Sequence, residues 1–298
     1  VAFSPDGTTY AIGSHPKDGD SKSVIRIRQS ASQATVGEWE LEHPLRVRDL
    51  DYSPDGKKLL ASGDNGFSVW NLETNQAEFT VPIYGIDISY AAAYSPDGST
   101  IIVRESMYDA RNGKNIFTLG LRKWIGQKQI TGVDYSADGK QVAAANWGGF
   151  DYVYADGRKE SRGGHVTIWD AATGKEQLYV AGGGYGVVFS QDGSGIISGD
   201  DQGRLTRFDS RTGRKVWSTQ AHASRVLRVA KTPDGTRLVS IGKDRAARLW
   251  DPKTGARVLV LHGLSMQGMN VAAGKHNIGV ACEDGGLHLW DGRPTLGD

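Results

Sequence analysis

Short apolar stretches alternate with polar turns along the whole chain, and none of these stretches is long. Residues 226–230 and 237–240 are a representative pair that flanks one polar turn. No segment longer than a turn or two shows the 3.6-residue apolar period of an amphipathic helix. Short apolar stretches bounded by Gly, Pro, Asp and Ser are typical of β-strands. The pattern therefore predicts an all-β protein with almost no helix.

One polar turn recurs at regular intervals. Ser-Pro-Asp-Gly or a degraded form of it begins at Ser4, Ser53, Ser95, Ser136, Ser190 and Thr232, and a seventh position with little of the motif left is Gly274-Lys275-His276-Asn277. The successive spacings are 49, 42, 41, 54, 42 and 42 residues. Pro sets φ at the second position of such a turn, and Asp and Gly suit the bends that follow. This period predicts a repeat architecture with seven copies.

Most copies are followed by a strand that ends on an aromatic residue and an acid. The clearest pairs are Trp169-Asp170, Phe208-Asp209, Trp250-Asp251 and Trp290-Asp291, and weaker positions are Trp70-Asn71, Tyr108-Asp109 and Arg28-Gln29. A second turn of the Thr-Gly type follows in several copies, and then a further strand. Four short strands per ~40 residues are typical of a propeller blade.

On these residues the chain resembles the WD-repeat family, and the resemblance covers essentially all of it. The best single repeat is the sixth, from His222 to Asp251. The resemblance implies a single domain over residues 1–298, folded as a seven-bladed β-propeller with four-stranded antiparallel blades. The approximate blades that we expect are residues 1–42, 43–83, 84–121, 122–181, 182–221, 222–262 and 263–298.

The resemblance also makes an expectation about the last blade. In WD-repeat proteins the outermost strand of that blade comes from the N-terminus. Here the chain opens inside the first strand of blade 1, and residues 292–298 show no strand pattern. We therefore expect only three strands in blade 7. We hypothesise that the fourth lies upstream, in a longer protein of the bacterial WD-repeat type.

Composition and charge exclude several classes of function. A formal net charge of +1 gives no general attraction to nucleic acid or anionic membranes, so we expect neither as a partner. No stretch approaches the ~18–20 apolar residues of a membrane span. The sequence has one cysteine, Cys282, which favours a reducing, cytoplasmic compartment while leaving the localisation open. We expect a monomeric propeller.

One trio, His222, Ser240 and Asp244, has the composition of a hydrolase triad. Catalysis would require an exposed serine oxygen with an oxyanion hole beside it. The resemblance implies a structural network instead. In WD-repeat proteins a His ten residues before the repeat turn bonds an Asp between strands two and three, and a Ser or Thr on strand two and the Trp of strand three complete the network. Trp250 holds that last place.

Blade 2 carries only part of this network. His43 has the same spacing from its turn as His222. The serine position falls on Ala61 or Ser62, and Trp70 comes one residue early.

Blades 5 and 7 also match in part. Ser198 and Phe208 match in blade 5, which lacks the His. In blade 7 the spacing puts Cys282 at the serine position and Leu264 at the histidine position. Cys282 is therefore expected to be a small buried residue and not a nucleophile.

No other motif demands an enzyme or a cofactor. Residues 18–23 lack the glycine and the final acid that an EF-hand loop needs, and no His/Cys cluster has zinc spacing. Gly182-Gly183-Gly184 leads into a strand and not, as in a phosphate-binding loop, into a helix. We predict no catalytic residue, no metal and no cofactor.

The largest departure from the period is an insertion between strands two and three of blade 4, at about residues 146–164. It is rich in aromatic residues, and the connection into blade 4 adds basic and aromatic ones. Both kinds of connection open on the same face of a WD-repeat propeller, where two arginines are also expected at the rim. The candidate partner-binding residues are Arg46, Arg122, Lys123, Trp124, Trp147, Phe150, Tyr152, Tyr154, Tyr185 and Arg225.

Exposed Trp, Tyr and Arg often anchor interfaces. We therefore expect a non-catalytic interaction platform that binds a protein or peptide through the top-face loops near blade 4. Three alternatives stay open. The insertion could be a β-hairpin that packs its own aromatic residues, the propeller could bind a small molecule or carbohydrate, or it could be the sensory or docking domain of a longer, kinase-like protein.

Overall fold

The computed structural model describes residues 1–14, 22–41, 46–83, 91–119, 130–147 and 164–292, together with the backbone of 150–153 and 159–162. All regular elements in these ranges are β-strands, arranged as seven antiparallel blades and one separate two-stranded sheet. Within the same ranges, no helix has the length and apolar character needed to span a membrane. The predicted all-β fold class is confirmed.

Blades 1 to 3 each contain four strands that pair in chain order. Blade 1 consists of β1 (Ala2–Phe3), β2 (Thr9–Ser14), β3 (Val24–Gln29) and β4 (Thr35–Glu40). Blade 2 consists of β5 (Val47–Tyr52), β6 (Lys58–Gly63), β7 (Gly66–Asn71) and β8 (Gln76–Pro82). Blade 3 consists of β9 (Ala92–Tyr94), β10 (Thr100–Val103), β11 (Ser106–Asp109) and β12 (Asn115–Thr118).

The remaining blades follow the same plan with two departures. Blade 4 consists of β13 (Ile130–Tyr135), β14 (Gln141–Asn146), β17 (His165–Asp170) and β18 (Glu176–Ala181), with the hairpin β15 (Phe150–Val153) and β16 (Lys159–Arg162) inserted between its second and third strands. Blade 5 consists of β19 (Tyr185–Phe189), β20 (Gly195–Gly199), β21 (Arg204–Asp209) and β22 (Lys215–Gln220). Blade 6 consists of β23 (Val226–Lys231), β24 (Leu238–Gly242), β25 (Ala247–Trp250) and β26 (Arg257–Leu261). Blade 7 consists of β27 (Gly268–Ala273), β28 (Asn277–Cys282) and β29 (Leu287–Asp291), so the predicted three-stranded last blade is confirmed.

The first strands of the blades form the inner wall of a ring. β1, β5, β9, β13, β19, β23 and β27 contact one another in turn, and β27 also contacts β1. The apolar core lies between adjacent blades. In one cluster, for example, Ile25 of blade 1 packs with Leu50 and Leu59 of blade 2. The fourth strands face outward and leave Val216 and Leu259 more than half exposed, at 55% and 52%.

The repeated turn is held in the same way in six blades. Its Ser or Thr hydroxyl donates to the Asp two residues later over 2.6–2.7 Å. This hydrogen bond is the leading cause that lowers the pKa of each of those Asp residues. The Gly that follows has φ between 65° and 73°, a left-handed conformation that glycine adopts without strain.

The turn of blade 7 is two residues shorter. The N–H of Gly274 donates to Asn277 O over 2.7 Å, whereas in blade 6 the N–H of Thr232 donates to Arg237 O over 3.0 Å. The second strand of blade 7 is therefore displaced along the sequence. The position that spacing assigned to Cys282 belongs to Val280, and that assignment was wrong.

Candidate functional site

The loops that carry the candidate residues meet at one end of the ring. The first strand of each blade begins at this end, and the antiparallel second strand returns to it. In blade 4, for instance, Ile130 at the start of β13 pairs with Asn146 at the end of β14. We call this end the top face. The insertion after Asn146 and the connections into blades 5 and 6 all open on it.

Glycines bring blades 4, 5 and 6 close together at the inner wall. A Cβ on Gly132 would come within 2.7 Å of the Cα of Gly186, and a Cβ on Gly186 would come within 2.9 Å of the backbone N of Val229. The hydroxyl of Thr131 also donates to the carbonyl of Gly184 over 2.7 Å. Since no side chain separates these backbones, residues at the tops of the three blades are held within contact distance.

Three of the predicted residues meet at this place. The ring centroids of Trp147 and Tyr185 are 6.2 Å apart, with an interplanar angle of 45°. The guanidinium carbon of Arg225 lies 5.4 Å from the Trp147 centroid and 4.8 Å from the Tyr185 centroid. Both distances are within the range of cation–π attraction. We call Trp147, Tyr185 and Arg225 the top-face cluster.

The members of this cluster differ in burial. Tyr185 is only 6% exposed, whereas Trp147 and Arg225 are half-buried. Burial raises the pKa of the Tyr185 hydroxyl, with the positive charge of Arg225 opposing that shift and Asp201 adding to it. The hydroxyl therefore stays protonated and is a hydrogen-bond donor at neutral pH. Neither Tyr185 Oη nor Arg225 Nε has a hydrogen-bond partner among the described residues.

Of the other predicted residues, the structure describes one side chain, that of Arg46, and it is not part of this contact. Arg46 is exposed and directly precedes β5 on blade 2, as Arg225 precedes β23 on blade 6, so it lies two blades away from Trp147. Phe150 and Tyr152 lie on β15, of which only the backbone is described. The predictions for Arg122, Lys123, Trp124 and Tyr154 lie outside the described residues.

The insertion of blade 4 has a regular backbone. Phe150 pairs with Arg162 and Val153 pairs with Lys159, so β15 and β16 form an antiparallel hairpin separate from the blade sheet. Its position between the second and third strands of blade 4 is the predicted one. The backbone agrees with the hairpin alternative, while the packing of its side chains stays a prediction.

The four residues of the expected blade 6 network lie within hydrogen-bonding distance. Trp250 Nε1 donates to Ser240 Oγ over 2.9 Å, and Ser240 Oγ lies 2.7 Å from His222 Nε2. His222 Nδ1 lies 2.8 Å from Asp244 Oδ1. His222 Nδ1 also lies 2.6 Å from Arg248 Nη1, so the two ring nitrogens connect the serine hydroxyl with a carboxylate and a guanidinium.

Sequence reasoning missed a fifth member of this network, Arg248. Its Nη1 donates to Asp244 Oδ2 over 2.9 Å. Burial lowers the pKa of His222, opposed by Asp244 and assisted by Arg248, so the imidazole is neutral at neutral pH. Burial alone would raise the pKa of Asp244, but the Ala223 N–H, His222 and Arg248 together lower it.

In blade 5, backbone groups form the hydrogen bonds to the serine that the histidine forms in blade 6. Ser198 is fully buried and donates to the carbonyl of Gly186 over 2.6 Å, while the N–H of Gly184 donates to Ser198 Oγ over 3.2 Å. A Cβ on Gly183 would lie 2.7 Å from the same oxygen. The three-glycine segment therefore passes over the serine, and only glycine fits there.

In blade 2, Trp70 comes one residue early in the sequence but lies at the expected position in the strand register. Trp70 pairs with Leu59 as Trp250 pairs with Leu238, because the turn before β7 is shorter. The serine position is Ala61, which leaves Trp70 Nε1 without a hydrogen-bond partner among the described residues. Of the two residues left open by spacing, Ala61 holds the place. His43 lies outside the described residues.

Seven antiparallel blades that share one repeated turn and a Trp–Ser–His–Asp network in blade 6 define a β-propeller of the WD type. A family model described as WD domain, G-beta repeat, matches residues 38–71 and 213–251, which end on the third strands of blades 2 and 6. In these two segments the chain carries the repeat of the WD-repeat family.

Known relatives are similar over parts of the chain. Cilia- and flagella-associated protein 52 of Bos taurus is 28% identical over 134 residues, which are 42% of this chain and 22% of that protein. WD repeat-containing protein 1 of Xenopus tropicalis is 33% identical over 79 residues, 26% of this chain and 13% of that protein. Eukaryotic translation initiation factor 3 subunit I of Emericella nidulans is 24% identical over 247 residues, 78% of this chain and 59% of that protein. The matched segment thus spans less than two thirds of each of these relatives.

Proposed function

We propose that this propeller is a non-catalytic platform that binds a protein or peptide partner through its top face near blade 4. The observation that carries the proposal is the top-face cluster, in which three neighbouring blades each contribute one Trp, Tyr or Arg. These residue types dominate the energetic centres of protein interfaces. Because the blades are held together by close backbone contacts, the cluster is already ordered, and little entropy is lost when a partner binds.

The names of the relatives are consistent with this proposal. One is a subunit of a translation initiation factor, and another is a cilia- and flagella-associated protein. Both names describe proteins that work with other components. We extend only this general role to the present chain.

The geometry of the blade 6 network supports the non-catalytic part of the proposal. Ser240 is fully buried, and its oxygen is engaged by Trp250 Nε1 and His222 Nε2. A serine nucleophile has to reach a substrate carbonyl beside an oxyanion hole. In this arrangement the hydroxyl instead satisfies two buried polar groups, which is a structural task.

The proposal is tested by affinity purification with a double variant, Trp147→Ala with Trp124→Ala. We expect specific partners of the wild-type protein to be lost, because both aromatic anchors are removed. The thermal unfolding midpoint should change little, since Trp147 is half-buried and belongs to none of the apolar clusters between the blades.

The matched control is a double variant on the opposite face, Arg211→Ala with Arg214→Ala, in the turn between β21 and β22. Both arginines are exposed, so this variant should keep the partners. Retention of every partner by the tryptophan variant would refute the proposed site.

A further inference from the structure

The guanidinium of Arg225 is oriented by aromatic rings and not by a carboxylate. It lies against Trp147 and Tyr185, and it makes no ion pair with any of the residues that the structure describes. Nearby arginines behave differently, since Arg204 pairs with Asp200 over 2.8 Å and Arg248 pairs with Asp244 over 2.9 Å. The ring contacts fix the plane of the Arg225 side chain while leaving its charge uncompensated.

Two further cations lie beside Arg225. The N–H of Lys243 donates to the carbonyl of Arg225 over 2.9 Å, which joins the connection into blade 6 to the turn between β24 and β25. Lys243 and Arg245 lie in that turn, and both are exposed. Neither makes an ion pair with another described residue. Asp201, on the neighbouring turn of blade 5, is the acidic group that acts on Tyr185. Asp244 of the same turn is paired with Arg248, so the three cations outnumber the one remaining acid, Asp201, and this part of the top face is positively charged.

The unpartnered polar groups of the cluster all require an acceptor. Tyr185 is more than nine-tenths buried, and its hydroxyl is protonated and has no partner in the described part of the chain. Arg225 Nε is also without a partner there. A buried donor left without an acceptor destabilises the protein. Because both of these atoms are shielded from solvent, a negatively charged ligand would act on the charge of Arg225 through its terminal Nη atoms.

We propose that Arg225 binds a carboxylate side chain in an acidic segment of a protein partner, with Lys243 and Arg245 attracting neighbouring acids. A carboxylate matches the planar guanidinium with two parallel hydrogen bonds. Trp147 packs beside this pair and shields it from water, which strengthens the electrostatic attraction. This inference rests on the proposed function, because it names the chemistry of the partner at the same site.

The test uses a phage-displayed library of random peptides, selected on the full 298-residue chain. The most enriched peptide is synthesised together with a twin in which every Asp and Glu is replaced by Asn and Gln. Affinities of both peptides are measured by fluorescence anisotropy for the wild type and for Trp147→Ala, Arg225→Gln, Arg225→Lys and Arg214→Gln. Arg214 is the matched control, since it is an exposed arginine on the opposite face.

We expect the acidic peptide to bind the wild type and Arg214→Gln equally, and Arg225→Gln roughly tenfold or more weakly. Arg225→Lys should bind with intermediate affinity, because it keeps the charge and loses the planar donor pair. The amide twin should bind the wild type weakly and should show no further loss on Arg225→Gln. Circular dichroism melts show whether each variant is folded.

Three outcomes would overturn the inference, and they are distinguishable. If the selected peptide needs Trp147 but its amide twin binds equally well, the site exists and its partner is not acidic. If no selected peptide loses affinity for Trp147→Ala, the proposed binding site itself fails. Loss of binding in Arg225→Gln without any difference between the twins would also contradict a carboxylate ligand.

Discussion

Blades 2 and 6 are the two that the family model matches, yet they hold their tryptophans differently. In blade 6, Trp250 Nε1 donates to Ser240 Oγ, which continues into a polar network. In blade 2 the serine position is Ala61, and Trp70 instead stacks on Trp39 with ring centroids 6.1 Å apart and an angle of 28°. The Trp position is therefore set by the register of the strands and by apolar packing. The polar network adds stability to one blade and is not required to form a blade.

The same two blades also differ at the inner wall. Lys231 of blade 6 reaches past blade 5 to Asp134 of blade 4, with 2.5 Å between Nζ and Oδ2. In blade 2, Asp51 occupies the position that Asp134 holds in blade 4, and it accepts from the N–H of Tyr94 over 2.8 Å, with no cation paired to it among the described residues. Burial raises the pKa of Asp51 to about 7, with Asp49 and Asp134 adding to the shift. Blade 2 therefore carries a carboxylate that is half-protonated near neutral pH.

The largest effect is expected where the blade 6 network is broken. His222→Ala should lower the free energy of unfolding by about 3–4 kcal/mol, because it opens a cavity and removes one hydrogen-bond partner from both Ser240 and Asp244. Urea denaturation monitored by tryptophan fluorescence measures this change. His276→Ala, at an exposed histidine in the short turn of blade 7, is the control and should change stability by less than ~0.5 kcal/mol. A loss below ~1 kcal/mol for His222→Ala would mean that blade 6 depends on packing as blade 2 does.

The next effect is the pH dependence that Asp51 introduces. Its folded pKa of about 7 is above the ordinary value of 3.8, so the folded protein holds this proton more tightly than the unfolded chain. The stabilisation that comes from protonated Asp51 is fully present below pH ~4 and is lost as the pH rises through ~7. Between pH 5 and pH 8 the loss should be about 2–3 kcal/mol. His222 has a lowered pKa and opposes this trend below pH ~6.5.

Asp51→Asn isolates that contribution, because the amide oxygen can still accept from Tyr94 and no longer titrates. The difference in unfolding free energy between the wild type and the variant should change by about 2–3 kcal/mol between pH 5 and pH 8, as measured by urea denaturation at each pH. The control is Asp134→Asn, which removes the carboxylate paired with Lys231 and should destabilise the protein without reproducing that pH profile. Parallel profiles for the wild type and Asp51→Asn would contradict the assignment.

The smallest effect on stability is expected when one hydroxyl is removed from blade 6 or added to blade 2. Ser240→Ala should destabilise blade 6 by about 2 kcal/mol, since both Trp250 Nε1 and His222 Nε2 lose their partner. Ala61→Ser should give Trp70 Nε1 an acceptor and change stability by between zero and about +1 kcal/mol. Both values are obtained from urea denaturation. A destabilisation of more than ~1 kcal/mol by Ala61→Ser would show that the apolar packing of blade 2 excludes the network.

Local signals made most of the fold predictable from the sequence. The repeated turn encodes its own geometry through Pro, Asp and Gly, and the spacing of six turns was enough to count the blades. Spacing failed where a turn changed length. It misplaced Cys282 because the turn at Gly274 is two residues shorter, and it displaced Trp70 because the turn before β7 is shorter. Cross-strand register depends on turn length, and the residue pattern alone does not give that length.

The candidate site was predictable as a set of residues but not as a contact. Trp147, Tyr185 and Arg225 were each identified from the sequence, yet their meeting depends on the close approach of three inner strands. Arg248 was missed although a signal existed. It is the cross-strand partner of Ser240 and lies two residues before Trp250, so it shares their face of the blade.

The hydrogen bond that joins blade 7 to blade 2 has a consequence for how the ring assembles. Asn270 Nδ2 of blade 7 donates to Asp49 Oδ1 of blade 2 over 3.1 Å, past blade 1 and across 221 residues of sequence. At the same seam a Cβ on Gly274 would lie 2.8 Å from the ring of Phe3, so the Phe3 side chain packs directly against the backbone of blade 7. Closing a loop of this length loses more chain entropy than forming any contact within a blade. Ring closure is therefore the step with the highest contact order, and we expect the seven blades to form before the circle is completed.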